Sequence, residues 1–217
     1  MKLQHLQIQT HNIQKTAAFY QDVLNLSILE KDSNSVTIQA GTSVLEFIEN
    51  QQFDSVYHFA FNIPQNKLEE AIKWTNNKLD LIVIEDATVV ANFENWNANA
   101  VYFYDNNGNI LEFIVRYDLN NAQTEPFSSQ SILNISEIGI VNENPLVLAN
   151  QLITQHNLEF FSKNDNSELF AALGDDEGLL IIVRPHRNWY PTQIPSESNT
   201  TEVRIENKGT QIELKFS

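Results

Sequence analysis

Two histidines and two glutamates in the first half of the chain have the types and spacing for metal chemistry. His5 and His58 each sit near the start of an alternating segment, and Glu46 and Glu112 each sit in a later one. Leu6 and Ile8 flank His5, Phe59 and Phe61 follow His58, Leu45 and Phe47 flank Glu46, and Leu111 and Phe113 flank Glu112. Period-two alternation puts each polar residue on the strand face opposite its large apolar neighbours. If the apolar faces pack on helices, the four residues share the other face. Two imidazoles and two carboxylates make a mixed nitrogen–oxygen site suited to one divalent metal (Zn, Ni, Mn or Fe) with exchangeable waters. Gathering two carboxylates without a cation would cost several kcal/mol in repulsion and desolvation, about the cost of a broken buried ion pair.

The elements that must position these residues repeat. Leu3–Thr10 alternates as a strand. Asn12 then caps a helix carrying Ile13, Ala17, Tyr20 and Leu24, and strands follow at Leu26–Glu30, Ser35–Ala40 and Ser43–Glu49. The same order returns with a strand at Val56–Ile63, a helix opened by Pro64, and strands at Asp80–Glu85, Ala100–Tyr104 and Ile110–Arg116. A repeat of about fifty-five residues, strand–helix–strand–strand–strand, organises residues 1–117.

The polar stretch 118–131 reads as a linker. A third copy begins after it: a strand at Ile132–Val141, a helix at Pro145–His156, and strands at Leu158–Phe161, Glu168–Leu173 and Leu179–Arg184. What remains is too short for a full fourth copy and offers two strands, Thr201–Ile205 and Gln211–Phe216. In the third copy Glu137 falls near the position of His5 and Ile181 near that of Glu46, so residues 132–217 are expected to be a degenerate module without a metal site. Trp189, Tyr190 and Pro191 are expected to pack that module against the first domain, and the missing strands leave edges that allow a homodimer.

Composition narrows the partners. Lys and Arg number 13 against 28 Asp and Glu, a net charge of −15, which argues against nucleic acid and anionic membrane surfaces. With no cysteine, thiolate metal sites, cysteine nucleophiles and disulfides are excluded. No segment reads as a signal peptide or as a membrane span, so a cytoplasmic protein acting on a small molecule is the expectation.

Three runs then carry a family resemblance: His5-Leu-Gln-Ile-Gln-Thr; Thr16-Ala-Ala-Phe19-Tyr20 with Val23-Leu24; and Tyr102-Phe-Tyr-Asp105-Asn-Asn-Gly108-Asn-Ile-Leu-Glu112-Phe-Ile. In order, they resemble the vicinal oxygen chelate superfamily of glyoxalase I, extradiol dioxygenases, fosfomycin-resistance enzymes and bleomycin-binding proteins. The resemblance implies an α+β fold of paired βαβββ modules, each an open curved sheet around a cleft, with His5, Glu46, His58 and Glu112 as ligands. It implies isomerase or lyase chemistry by enediolate stabilisation, with Glu112 as the base and Glu46 its counterpart. Gln7, Gln9, Asn50 and Asn62 would line the cleft, and Trp96 would cap it. Gln9 and Asp54 stand where glyoxalase I carries arginines that grip glutathione, which argues against that cofactor. Two alternatives stay open. Tyr102, Asp105, Gly108 and Glu112 match the spacing of Fe(II) extradiol ring-cleavage dioxygenases, with Tyr102 then a catalytic residue. A metal-free binding protein of the bleomycin-resistance type is the other, and four retained ligands count against it.

Overall fold

Apolar residues at every second position dictate strands almost throughout, and a computed structural model, which describes residues 1–84 and 87–217, contains thirteen of them. The first module is β1 (Lys2–Thr10), α1 (Ile13–Ala18), β2 (Ser27–Lys31), β3 (Ser35–Ala40) and β4 (Ser43–Glu49). Asn12 caps α1 as its side chain accepts from Lys15 N at 2.9 Å, and the helix widens into a π turn over Phe19–Val23. The second module is β5 (His58–Ile63), α2 (Leu68–Asn76), β6 (Ala91–Phe93), β7 (Ala98–Tyr104) and β8 (Ile110–Arg116). The third is β9 (Asn134–Val141), α3 (Pro145–His156), β10 (Phe170–Asp175) and β11 (Gly178–Val183), and a hairpin of β12 (Thr201–Asn207) and β13 (Thr210–Phe216) closes the chain.

Pairing departs from the order of the repeats. β5 lies parallel to β8 on one edge and antiparallel to β9 on the other. β1 lies parallel to β4 and antiparallel to β12, touching β9 only through Leu3 and Ile135. The second module therefore shares its sheet with the third, and the first module shares its sheet with the final hairpin. β9 joins the two halves, so one sheet runs across the 118–131 stretch. That stretch is not loose: Phe127 is buried, its ring 5.5 Å from Trp74 and 5.8 Å from Phe113.

Several sequence expectations are corrected. Residues 80–84 form no regular strand, and Glu85 lies outside the described residues; β6 takes that place later in the chain. Leu158–Phe161 makes only a bridge from Phe160 to Leu173. The second helix starts at Leu68, because Pro64 opens a turn in which Lys67 N donates to its carbonyl at 2.9 Å.

The helices cover one face of the sheet, over a core that includes Leu6, Ile8, Phe47, Phe59, Phe61 and Phe113. On the opposite face of the second and third modules lies a separate apolar cluster rich in small side chains: Ala60, Ala91, Ala98, Ala100 and Ala172 beside Tyr102, Ile181 and Trp189. Alanines in a concave sheet face leave volume that larger residues would fill. Gly41 fixes where the halves meet. Its φ is +61°, and a Cβ there would lie 2.0 Å from the Leu133 carbonyl oxygen, which accepts from Thr42 N at 2.8 Å.

Candidate metal centre and aromatic cavity

The strand register assembles three polar residues around one small one. Ala60 on β5 lies opposite Glu112 of β8 on one side and opposite Glu137 of β9 on the other. Its methyl group lets both carboxylates lean toward each other, and His58, two residues earlier, points from the same face. Ligand atoms of His58, Glu112 and Glu137 all lie within 4.8 Å of one another, and no other such group of three occurs among the described residues. All three are buried.

The four-residue set expected from the sequence is not brought together. His58 and Glu112 line one cavity; His5 and Glu46 line another. The reason is the pairing, which puts β9 beside β5 and β12 beside β1. His5 Nε2 stays 3.0 Å from Glu46 Oε2, but the two remain about one-fifth exposed. Their third neighbour is Glu202, opposite Gln7 in the register, and its carboxylate is held by Lys215 at 2.8 Å. Where the buried centre has Ala60, this cleft has the bulkier Gln7. Glu137, assigned to a module without a site, is instead the third member of the buried group. Its sequence signal was its match to the position of His5.

Electrostatics separate the three. His58 Nδ1 lies 3.1 Å from the Ile110 carbonyl, which as the acceptor leaves Nε2 unprotonated in the neutral ring. Burial lowers the His58 pKa to about 4, with the nearby Arg187 charge acting in the same direction. Its bare Nε2 lies 3.5 Å from Glu112 Oε2. Burial pushes Glu112 well above the usual carboxylate range, and the charge of Glu137 adds to the rise. Tyr102 stands opposite Glu112 in the register, and burial, together with the charges of Glu112 and Glu137, raises its phenol pKa. Glu137 is also raised by burial, opposed by Arg116.

Arg116 is fully buried, donates to Glu137 through Nη2 and lies 3.5 Å from Asp176 through Nη1. Lys163 holds the other side of Asp176 at 2.6 Å and reaches Asp118 at 2.7 Å. Arg116 pairs directly with Glu137 and Asp176 and only offsets part of the rise at Glu112, which among the described residues has no arginine or lysine ion pair. The donor set is short of positive charge at the point where two carboxylate oxygens and a bare imidazole nitrogen converge. A divalent cation fits that deficit.

The centre opens into a cavity of about 240 Å³. Its walls are aromatic. The His58 ring lies 5.5 Å from Trp189 and 6.1 Å from Tyr102; Tyr190 meets Tyr102 at 5.8 Å and Phe93 at 5.9 Å; Trp96 stacks toward Phe93 at 5.9 Å. Trp96 lines this cavity. Ile181 takes the place on β11 that Glu112 takes on β8, so the fourth wall offers no ligand. Trp189 and Tyr190 also line it, and through His58, Phe93 and Tyr102 they pack the C-terminal part against the first domain, as the sequence led one to expect. Of the other expected cleft residues, Gln7 lines the first-module cleft. Gln9 and Asn50 hydrogen-bond each other at 3.3 Å. Asn62 is buried and donates to the Asp176 carbonyl at 3.1 Å, away from the aromatic walls.

A family model described as the Glyoxalase/Bleomycin resistance protein/Dioxygenase superfamily matches residues 2–175. No curated protein matches the chain. Among solved structures, a candidate dioxygenase from Bacillus subtilis superposes with a TM-score of 0.62 at 15% identity, over 84% of this chain and 63% of its own. This chain thus spans under two-thirds of that protein's length. A glyoxalase I variant from Zea mays superposes with a TM-score of 0.57 at 13% identity, over 91% of this chain and 71% of its own. At these identities the likeness is one of fold: an α+β arrangement of open, curved sheets.

Proposed function

This chain belongs to the glyoxalase/bleomycin resistance protein/dioxygenase superfamily, and we propose that it is a metal-dependent enzyme whose centre is His58, Glu112 and Glu137. Its substrate is a small molecule that presents two adjacent oxygens. The observation that carries this reading is the bare Nε2 of a neutral, carbonyl-anchored His58 facing a buried carboxylate that has no arginine or lysine ion pair among the described residues.

A divalent cation bound there supplies Lewis acidity toward the substrate oxygens. The side chains supply the rest. Glu112, whose pKa is raised by burial and by the Glu137 charge, takes up and returns a proton, and Tyr102, opposite it in the register, stands beside its carboxylate. Phe93, Trp96 and Tyr190 exclude water from the reacting face, and Trp189 holds the His58 ring. Proton transfer on a Glu of the centre is isomerase or lyase chemistry.

Ring-cleaving dioxygenase chemistry on an aromatic diol is the second reading. Ile181 favours it: three protein donors leave more open positions than four, as in the facial triads of non-heme iron enzymes. Tyr102, next to Glu112 in the register, then acts on the ring hydroxyl.

The test is metal titration of chelator-treated protein, with turnover assayed on a catechol and on a hemithioacetal. Stoichiometric binding that His58→Ala abolishes is expected. Catechol turnover with Fe²⁺ selects the second reading, and hemithioacetal turnover with Ni²⁺ or Zn²⁺ the first. No binding of any of these metals would overturn both and leave a metal-free binding cavity.

A further inference from the structure

Arg187 lines the aromatic cavity beside the buried centre. Its guanidinium packs 5.1 Å from the Phe170 ring, and among the described residues no carboxylate pairs with it. That is unexpected in a chain with 28 acidic residues and only 13 basic ones. Partial burial lowers its pKa from the ordinary arginine value, a sign that the charge has lost part of its water without gaining a partner.

The backbone holds Arg187 in place at some cost. His186, just before it, has φ +65°, a left-handed conformation that non-glycine residues rarely take. Ser196 clamps the turn. His186 N donates to the Ser196 carbonyl at 2.9 Å, Ser196 N donates to the Arg187 carbonyl at 2.9 Å, and Ser196 Oγ donates to the Arg184 carbonyl at 2.9 Å. Ser196 is fully buried. The clamped turn thus fixes a partly exposed cation, without a carboxylate partner among the described residues, at the wall of the cavity.

We infer that Arg187 is a specificity-determining residue and that the ligand of this cavity is a planar aromatic ring carrying a carboxylate, which the guanidinium grips. The cavity size admits one ring with a small substituent, and the walls offer stacking faces. A monoanion is favoured over a phosphate dianion, because Glu112 and Glu137 lie within the same cavity and repel added negative charge. The inference deepens the proposed function by naming a substrate class, but it concerns the ring and its charge, and holds whether or not a metal is bound.

The experiment uses full-length, chelator-treated protein and four probes: benzoate, the neutral isostere benzamide, phenyl phosphate and cyclohexanecarboxylate. Binding is read by calorimetry and by quenching of tryptophan fluorescence. Benzoate should bind about tenfold or more tighter than benzamide, the worth of a charge-assisted hydrogen bond. Arg187→Gln should erase that difference while benzamide binding stays unchanged, and Arg187→Lys should restore it in part. A preference for benzoate that survives in Arg187→Gln would overturn the assignment of this residue. Tighter binding of phenyl phosphate would overturn the carboxylate, equal binding of cyclohexanecarboxylate would overturn the aromatic ring, and absence of any probe binding would overturn the proposal as a whole. Metal titration of the same preparations is a separate readout, so failure of the metal centre and failure of the anion site are told apart.

Discussion

The Trp189 indole lies directly over Gly139: a Cβ on that glycine would come within 2.5 Å of the indole Cη2. Gly139 sits on β9 two residues after Glu137, and Trp189 in turn contacts the His58 ring. One missing methyl group thus seats the wall that supports the centre. Gly139→Ala is expected to displace the indole and destabilise the protein by about 1–3 kcal/mol, the usual range for overpacking. Urea denaturation followed by tryptophan fluorescence checks this. Unchanged stability and an unchanged emission spectrum would mean that the indole does not rest there.

Arg116 is the buried cation on which Glu137 and Asp176 depend. Arg116→Met leaves both carboxylates without it and should cost about 3–5 kcal/mol. Adding Glu137→Gln in the same chain should recover part of that loss, since the stranded charge is then gone. A double-mutant cycle in chemical denaturation measures the coupling, and strict additivity of the two substitutions would contradict a direct pairing.

The pH dependence of His58 has a definite sign. In the folded, metal-free protein the ring protonates only near pH 4, against 6.5 for an ordinary histidine. Between those values the unfolded chain binds more protons than the native one, so this residue's contribution to stability falls as pH drops from about 6.5 to about 4 and is constant outside that window. The difference is worth roughly 3 kcal/mol. Comparing pH–stability curves of the wild type and His58→Gln isolates it from the opposing contributions of Glu112 and Glu137. An NMR titration showing His58 protonated at pH 6 would contradict the burial argument.

The two clefts should respond differently to metal. His5→Ala and Glu46→Gln are expected to leave stoichiometric binding intact, whereas His58→Ala abolishes it and Glu137→Gln weakens it. Binding isotherms for the four variants decide the matter. Loss of binding in His5→Ala would restore the first-module pair to the centre.

Much of this was readable in advance because alternation is a local signal. The phases of His58 and Glu112, the cap at Asn12 and the helix Pro145–His156 follow from residues within a few positions of one another. Partner choice between modules is not local. Nothing within β5 states whether its free edge meets β1 or β9, and that choice moved His5 and Glu46 out of the centre and brought Glu137 in. Over residues 80–84 the expected strand reduces to one bond to β7, Ile82 N donating to the Tyr102 carbonyl at 2.8 Å, and the regular ladder on that edge of β7 comes from the short β6. Arg187 lies in an irregular segment, where periodicity says nothing and only tertiary placement gives a role.

The register of β9 also sets a timetable. Residues 1–117 leave the ribosome with the edges of β1 and β5 open, and neither gains its final neighbour until β9 and then β12 have been made. Until then two apolar strand edges stand exposed to each other and to other chains, the condition under which nascent β proteins aggregate or swap strands. The centre, drawn from residues far apart in sequence, forms only after that wait. Its assembly should therefore belong to the slow, late stage of folding, a direct consequence of placing a ligand on the strand that joins the two halves.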